Sequence, residues 1–122
     1  MMFTLSSTVF AASPLVNSSK EGTGFKVEKP SALILRSSSS APSITNGKKV
    51  SVSGGTLWAT WYNGVLFRAN YDNNKKTHRC SATNDHVNAT PTRSAWVSKG
   101  HRAISPWLQQ TLSNNKVWAA TK

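Results

Sequence analysis

Apolar and polar positions alternate most clearly between residues 53 and 83. Two runs rich in aromatic and β-branched residues flank Asn63-Gly64. A type I′ turn needs positive φ at both central residues, which Asn and Gly tolerate, so the pattern predicts a β-hairpin. A two-residue turn would set Tyr62 opposite Val65, Thr60 opposite Phe67, Trp58 opposite Ala69 and Thr56 opposite Tyr71. The other side would carry Trp61 with Leu66, Ala59 with Arg68, and Leu57 with Asn70. Side chains alternate with a period of two, so the first set is the predicted core face and the second a mixed face. In this register Trp58, Phe67 and Tyr71 hold the fold, while Trp61 and Leu66 remain free to bind.

The pattern extends to both sides of the hairpin. Val50-Ser51-Val52 reads as a strand ended by Gly54-Gly55, and Asp72-Asn73-Asn74-Lys75 as a turn with Asp72 in an Asx role. Residues 77–83 predict a third antiparallel strand, with His78, Cys80 and Ala82 on one face. Residues 84–91 read as a loop, and residues 93–99 as a short strand around a core Trp96. Residues 105–112 stay open: Ser105-Pro106 suits a helix start, yet Ile104, Trp107 and Thr111 suit a strand broken at the proline. Val117-Trp118-Ala119-Ala120 predicts a terminal strand. Short strands separated by Asn and Gly predict a small all-β, antiparallel β-sandwich.

Upstream the composition changes. All five Trp and both Tyr lie between residues 58 and 118. Residues 13–49 contain the run Ser37-Ser38-Ser39-Ser40 and the breakers Pro30 and Pro42, which reads as a mostly disordered low-complexity linker or pro-segment. Only Ala32-Leu33-Ile34-Leu35 suggests an edge strand there. Residues 1–12 resemble an export signal with its front missing, since Val9-Phe10-Ala11 before Ala12-Ser13 fits a small-residue cleavage site. The expected division is therefore a signal-peptide remnant (1–12), a linker (13–49) and the β-sandwich (50–122). The expected localisation is extracellular, and no run is long and apolar enough for a spanning helix.

Charge narrows the partners. Fifteen basic residues against four acidic ones give a formal net charge of +11 in 122 residues. That predicts an anionic partner: nucleic acid, anionic lipid, a wall polymer or a phosphate-bearing precursor. A leader-like N-terminus argues against nucleic acid. The single cysteine, Cys80, excludes an internal disulfide and reads as a small buried hydrophobe.

Catalytic chemistry is hard to assemble from these residues. Asp72 and Asp85 are the only carboxylates after residue 50, both in turn sequences. His78 and Cys80 lie two apart on one strand face, about 7 Å by strand rise, too far for a nucleophile–base pair. One cysteine and three scattered histidines do not form a zinc motif. The reading is a binding protein without cofactor, metal or enzymatic activity. Basic residues among aromatics, with Lys75, Lys76 and Arg79 just after the hairpin and Arg93, Lys99 and Arg102 flanking Trp96, supply the surface.

Gly54-Gly55-Thr56, a Trp and a Tyr before a turn glycine, Asn70-Tyr71, Lys76-Thr77-His78 and Arg93-Ser94-Ala95-Trp96, taken in order over residues 53–120, resemble the lactococcin 972-like bacteriocins. The resemblance implies a secreted, cationic, unmodified bacterial peptide folded as two antiparallel sheets. It also implies killing of related bacteria by binding the lipid-linked cell-wall precursor and blocking septal wall synthesis, with a membrane immunity protein and a transporter in the producer. A homodimer is left open. The candidate binding residues are then Lys75, Lys76 and Arg79 for the anionic group, backbone amides at Gly54 and Gly55, and Trp61 and Leu66 for the lipid or sugar. The rival expectations are a general cationic membrane-active peptide and a non-lethal exported wall-binding or adhesion module.

Overall fold

The computed structural model of the chain describes residues 14–29, 43–86 and 89–122. The expected leader, the Ala32-Leu33-Ile34-Leu35 patch and the serine run lie outside the described residues. Asn63 (φ 53°) and Gly64 (φ 69°) form the expected turn, closed by the Val65 amide donating to the Tyr62 carbonyl at 3.0 Å. It joins β5 (Gly55–Tyr62) to β6 (Leu66–Asp72). Val65, however, is an extra residue, because Tyr62 pairs with Leu66 and Trp61 with Phe67. The Val65 carbonyl instead accepts from the Gln110 amide at 2.9 Å.

That one-residue bulge corrects the expected faces, since a register slip of one exchanges the two sides of a strand relative to its partner. Leu57, Ala59, Trp61, Phe67, Ala69 and Tyr71 share the inner face and are all buried. Trp61, expected to be free, is 0% exposed with its ring 5.1 Å from that of Phe67. Trp58, expected in the core, faces outward with Thr60 and Tyr62. It is nevertheless 3% exposed, because Lys49 and Arg102 lie on its ring at 4.6 and 4.8 Å. Phe67 and Tyr71 are core residues as expected.

Both outer edges of this hairpin repeat one device. Beside β5 lie β3 (Ile44–Asn46) and β4 (Val50–Val52); beside β6 lie β9 (Arg102–Ile104) and β10 (Leu108–Gln109). Asn46 pairs with Thr60 and Val50 with Leu57, so Gly47, Lys48 and Lys49 oppose only two β5 residues. Likewise Ser105, Pro106 and Trp107 oppose only two residues between Asn70 and Phe67. Each interruption is a bulge of one residue. Pro106, which has no amide to donate, fits such a break, and the Ser105 hydroxyl accepts the Ala69 amide at 2.9 Å. The open question over residues 105–112 thus resolves to strand, break and strand.

The second sheet has the order β1–β2–β11–β7–β8, built from β1 (Val16–Ser18), β2 (Gly22–Lys26), β7 (His78–Thr83), β8 (Thr92–Arg93) and β11 (Lys116–Thr121). All pairings in both sheets are antiparallel. In β7 the alternation holds as expected, with His78, Cys80 and Ala82 all buried. The expected 93–99 strand reduces to Thr92–Arg93 plus a lone bridge between Val97 and His78. Phe25, Val117 and Ala119 complete the core between the sheets.

β1, β2 and β3 fall inside residues 13–49, so part of the expected linker belongs to the fold. β2 pairs with β11 from Lys26 to Thr23. Gly24 is needed there, because a Cβ would stand 2.2 Å from the Val117 carbonyl oxygen and 2.8 Å from the Trp118 ring. The Glu21 carboxylate, buried, accepts the Ser81 hydroxyl at 2.7 Å and pairs with the Arg93 guanidinium through Nε and Nη2. Burial alone would raise its pKa, but the bonds from Arg93 and Ser81 outweigh it and hold the carboxyl below its ordinary range. The sign follows: the stabilisation is present above the unfolded-chain value of about 4.3 and is lost as pH falls through the lower folded value. Glu21→Gln is expected to cost about 2 kcal/mol at pH 7. The gap between wild type and variant should narrow below about pH 4, in denaturant melts run across that range; a gap independent of pH would remove the ion pair as its source.

Candidate functional site

The β1–β2 turn, the end of β11 and the segment after β8 meet at one end of the second sheet. They enclose a cleft of about 450 Å³ lined by Lys20, Ser53, Trp96, Thr121 and Lys122, among others, and none of its lining side chains is a carboxylate. Trp96, expected in the core, is 37% exposed. It follows Arg93, Ser94 and Ala95 off the sheet, with the Ser94 amide bound to the Cys80 carbonyl at 2.8 Å and the Val97 amide to that of His78 at 2.8 Å. Those two bonds hold the intervening chain against β7 and leave the indole on the surface.

Two cations lie on that indole. The Arg79 guanidinium carbon is 4.6 Å and Lys122 Nζ 4.5 Å from the ring centroid. Arg79 points outward from β7 because its neighbours His78 and Cys80 take the inner face. Its Nη2 donates to the Lys20 carbonyl at 3.0 Å, while its Nε is buried without a partner. The Lys122 amide donates to the Thr77 carbonyl at 3.0 Å, fixing the backbone of Lys122 beside β7. Where the ring stays exposed it can pack on a sugar or other planar group while the cations over it meet phosphates.

The remaining predicted site residues are dispersed. Lys75 and Lys76 are exposed, their amides bound by the Asn73 side-chain oxygen at 2.8 and 3.0 Å. The Asx role expected of Asp72 is therefore taken by Asn73, and Asp72 ends β6 in a two-pronged pair with Arg102 at 2.8 and 3.0 Å. Ser53 (φ 50°) and Gly54 (φ 84°) make the turn before β5, and a Cβ on Gly54 would stand 3.9 Å from the Lys75 side chain. Since Ser53 lines the cleft, this turn connects Lys75 to its rim. Gly55 has a packing reason instead: a Cβ there would fall 2.2 Å from the Asp72 carbonyl oxygen and 2.8 Å from the Tyr71 ring. Leu66 is half-buried on the outer face of the first sheet, away from the inward Trp61.

Reactive groups in the core are engaged. Burial pushes the Cys80 thiol up to about 12, and its Sγ donates to the Ala69 carbonyl at 3.3 Å. It is therefore protonated at neutral pH and a poor nucleophile. Both ring nitrogens of His78 face carbonyl oxygens, Nδ1 that of Lys76 (2.8 Å) and Nε2 that of His101 (2.7 Å). Among the described residues no group of three or more His, Cys, Asp or Glu is placed to hold a metal ion.

A second cationic and aromatic surface covers the outer face of the first sheet. Besides Trp58 under Lys49 and Arg102, Arg68 lies 4.2 Å from the Trp107 ring, which packs 5.7 Å from Tyr62. The two edge bulges supply Lys49 and Trp107 to this face. Ile44 and Ile104 are exposed beside it.

Comparison with known protein families, characterised proteins and solved structures returns no match. Sequence reasoning found Arg79 and the basic exit of the hairpin, but missed Lys20, Ser53 and Lys122. The alternation Gly22-Thr23-Gly24-Phe25 was the available signal that the chain just after Lys20 is a strand.

Proposed function

We propose that the chain is an exported cationic binding protein of bacteriocin type. In this reading its Trp96 cleft engages an anionic cell-envelope component, the lipid-linked wall precursor, and thereby blocks septal wall synthesis in related bacteria. The observation that carries the binding reading is the stack of Arg79 and Lys122 on the half-exposed Trp96, beside a polar cleft that also receives Lys20. Such a site favours a ligand with phosphate charge next to a ring. The envelope, rather than nucleic acid, is favoured by the leader-like N-terminus and by the resemblance in residues 53–120. A membrane immunity protein and a transporter in the producer belong to the same proposal.

Replacing Lys20, Arg79 and Lys122 together by glutamine is expected to weaken binding to isolated cell envelopes at least about tenfold, or about 1.4 kcal/mol. The residual binding should also depend less on salt. Thermal melts verify that the variant folds; a folded variant with unchanged binding removes the cleft from the mechanism. A general membrane-active peptide is the second reading, favoured by Trp107, Tyr62, Ile44 and Ile104 on the outer face of the first sheet. Dye release from anionic vesicles lacking any precursor would favour it over precursor binding.

A further inference from the structure

The Gly47 bulge leaves a gap at the seam where β2 faces β3, β4 and β5. The result is a cavity of about 170 Å³. Its walls are Phe25, Val27, Val50, Ala59 and the Trp61 ring, and exposed Lys26, Glu28 and Lys48 also line it. Trp61 is wholly buried, yet its indole Nε1 has no hydrogen-bond partner. That nitrogen lies beside Gly47, where a built Cβ would stand 3.9 Å from it. The Ala59 carbonyl oxygen, 3.4 Å from that built Cβ, already accepts the Gly47 amide at 2.7 Å.

A buried N–H left unpaired is destabilising, and a bound acceptor would relieve it. A water needs two to four polar partners; the charged side chains lie at the exposed rim, and the inner walls, Phe25, Val27, Val50 and Ala59, offer no polar side-chain atom. An apolar cavity of about 150 Å³ is large enough to take a benzene-sized group. We propose that this cavity is a binding site for a small amphiphile, a short apolar chain or ring ending in an oxyanion. The apolar part fills the space between the sheets, an oxygen accepts from Trp61 Nε1–H, and the charge meets Lys26 and Lys48, whose two positive charges exceed the one of Glu28. The site lies at the opposite end of β2 from the Trp96 cleft and does not rest on the envelope reading.

Two sources offer this chemistry, a free short-chain acid and an acyl phospholipid, so the probes are octanoate and dihexanoyl phosphatidate, with octanol as uncharged control. The full chain is labelled with ¹⁵N, and the Trp61 indole N–H resonance is identified by its loss in Trp61→Phe. Octanoate or the phosphatidate is expected to shift this resonance saturably, ahead of the other four indoles, and at least tenfold more tightly than octanol. A response to octanoate identifies the free acid as sufficient; a response to phosphatidate alone identifies the lipid as the source. Gly47→Leu, which fills the cavity from its edge, should weaken the response at least tenfold, and Trp61→Phe should weaken binding measured by calorimetry. No probe shifting the Trp61 resonance, equal binding of octanol, or a folded Gly47→Leu variant with undiminished binding would each overturn the proposal.

Discussion

Trp61→Ala is expected to cost about 3–5 kcal/mol of stability, whereas Trp58→Ala should cost about 1–2 kcal/mol. The two residues are three apart on one strand and similarly inaccessible, at 0% and 3%. What differs is what covers them. Trp61 is walled by Phe67 and the core between two sheets, so truncation leaves a cavity that fixed neighbours cannot close. Trp58 is covered by Lys49 and Arg102, whose flexible stems can collapse onto the strand. A small domain with roughly 5–10 kcal/mol in total would lose much of it in the first case. Urea melts of the two variants check this, and a larger loss at Trp58 would contradict the register that Val65 sets.

Removing residues 14–29 should abolish cooperative unfolding altogether. β2 occupies an interior position in its sheet, bonded to β1 on one side and β11 on the other. Its loss would expose a ladder of β11 backbone groups, remove Phe25 from the core and leave Arg93 without Glu21. β11 would also become an open edge, the usual template for aggregation. Near-uniform loss of dispersed amide resonances in the truncated chain is the expected result. A truncated chain with a native-like spectrum would restore the linker reading. Cleavage between β2 and β3 would likewise remove a structural strand rather than a pro-segment.

How much was legible depended on how local each determinant is. The all-β antiparallel class, the Asn63-Gly64 turn and the alternation of His78, Cys80 and Ala82 rest on near neighbours and follow from the sequence pattern. The hairpin register did not, because the extra residue Val65 is held by Gln110, far along the chain. One residue then exchanged the expected roles of Trp58 and Trp61. Residues 13–49 read as linker from the serine run, the two prolines and the absence of Trp and Tyr; the order of residues 14–29 comes from pairing with β11, which a local window does not contain. The cleft was half legible for the same reason. Arg79 lies in the hairpin's basic exit, but Lys20 and Lys122 reach it only through β2 and β11.

Trp96, with Arg79 and Lys122 on its ring, is the proposed contact with an anionic envelope ligand. The most direct measurement is a titration of the ¹⁵N-labelled chain with the lipid-linked wall precursor in neutral micelles, reading the Trp96 indole resonance assigned by Trp96→Phe. A saturable shift of that resonance is expected, lost when Lys20, Arg79 and Lys122 are replaced by glutamine. A Trp96 resonance that stays still while the precursor binds elsewhere, or does not bind, would contradict it.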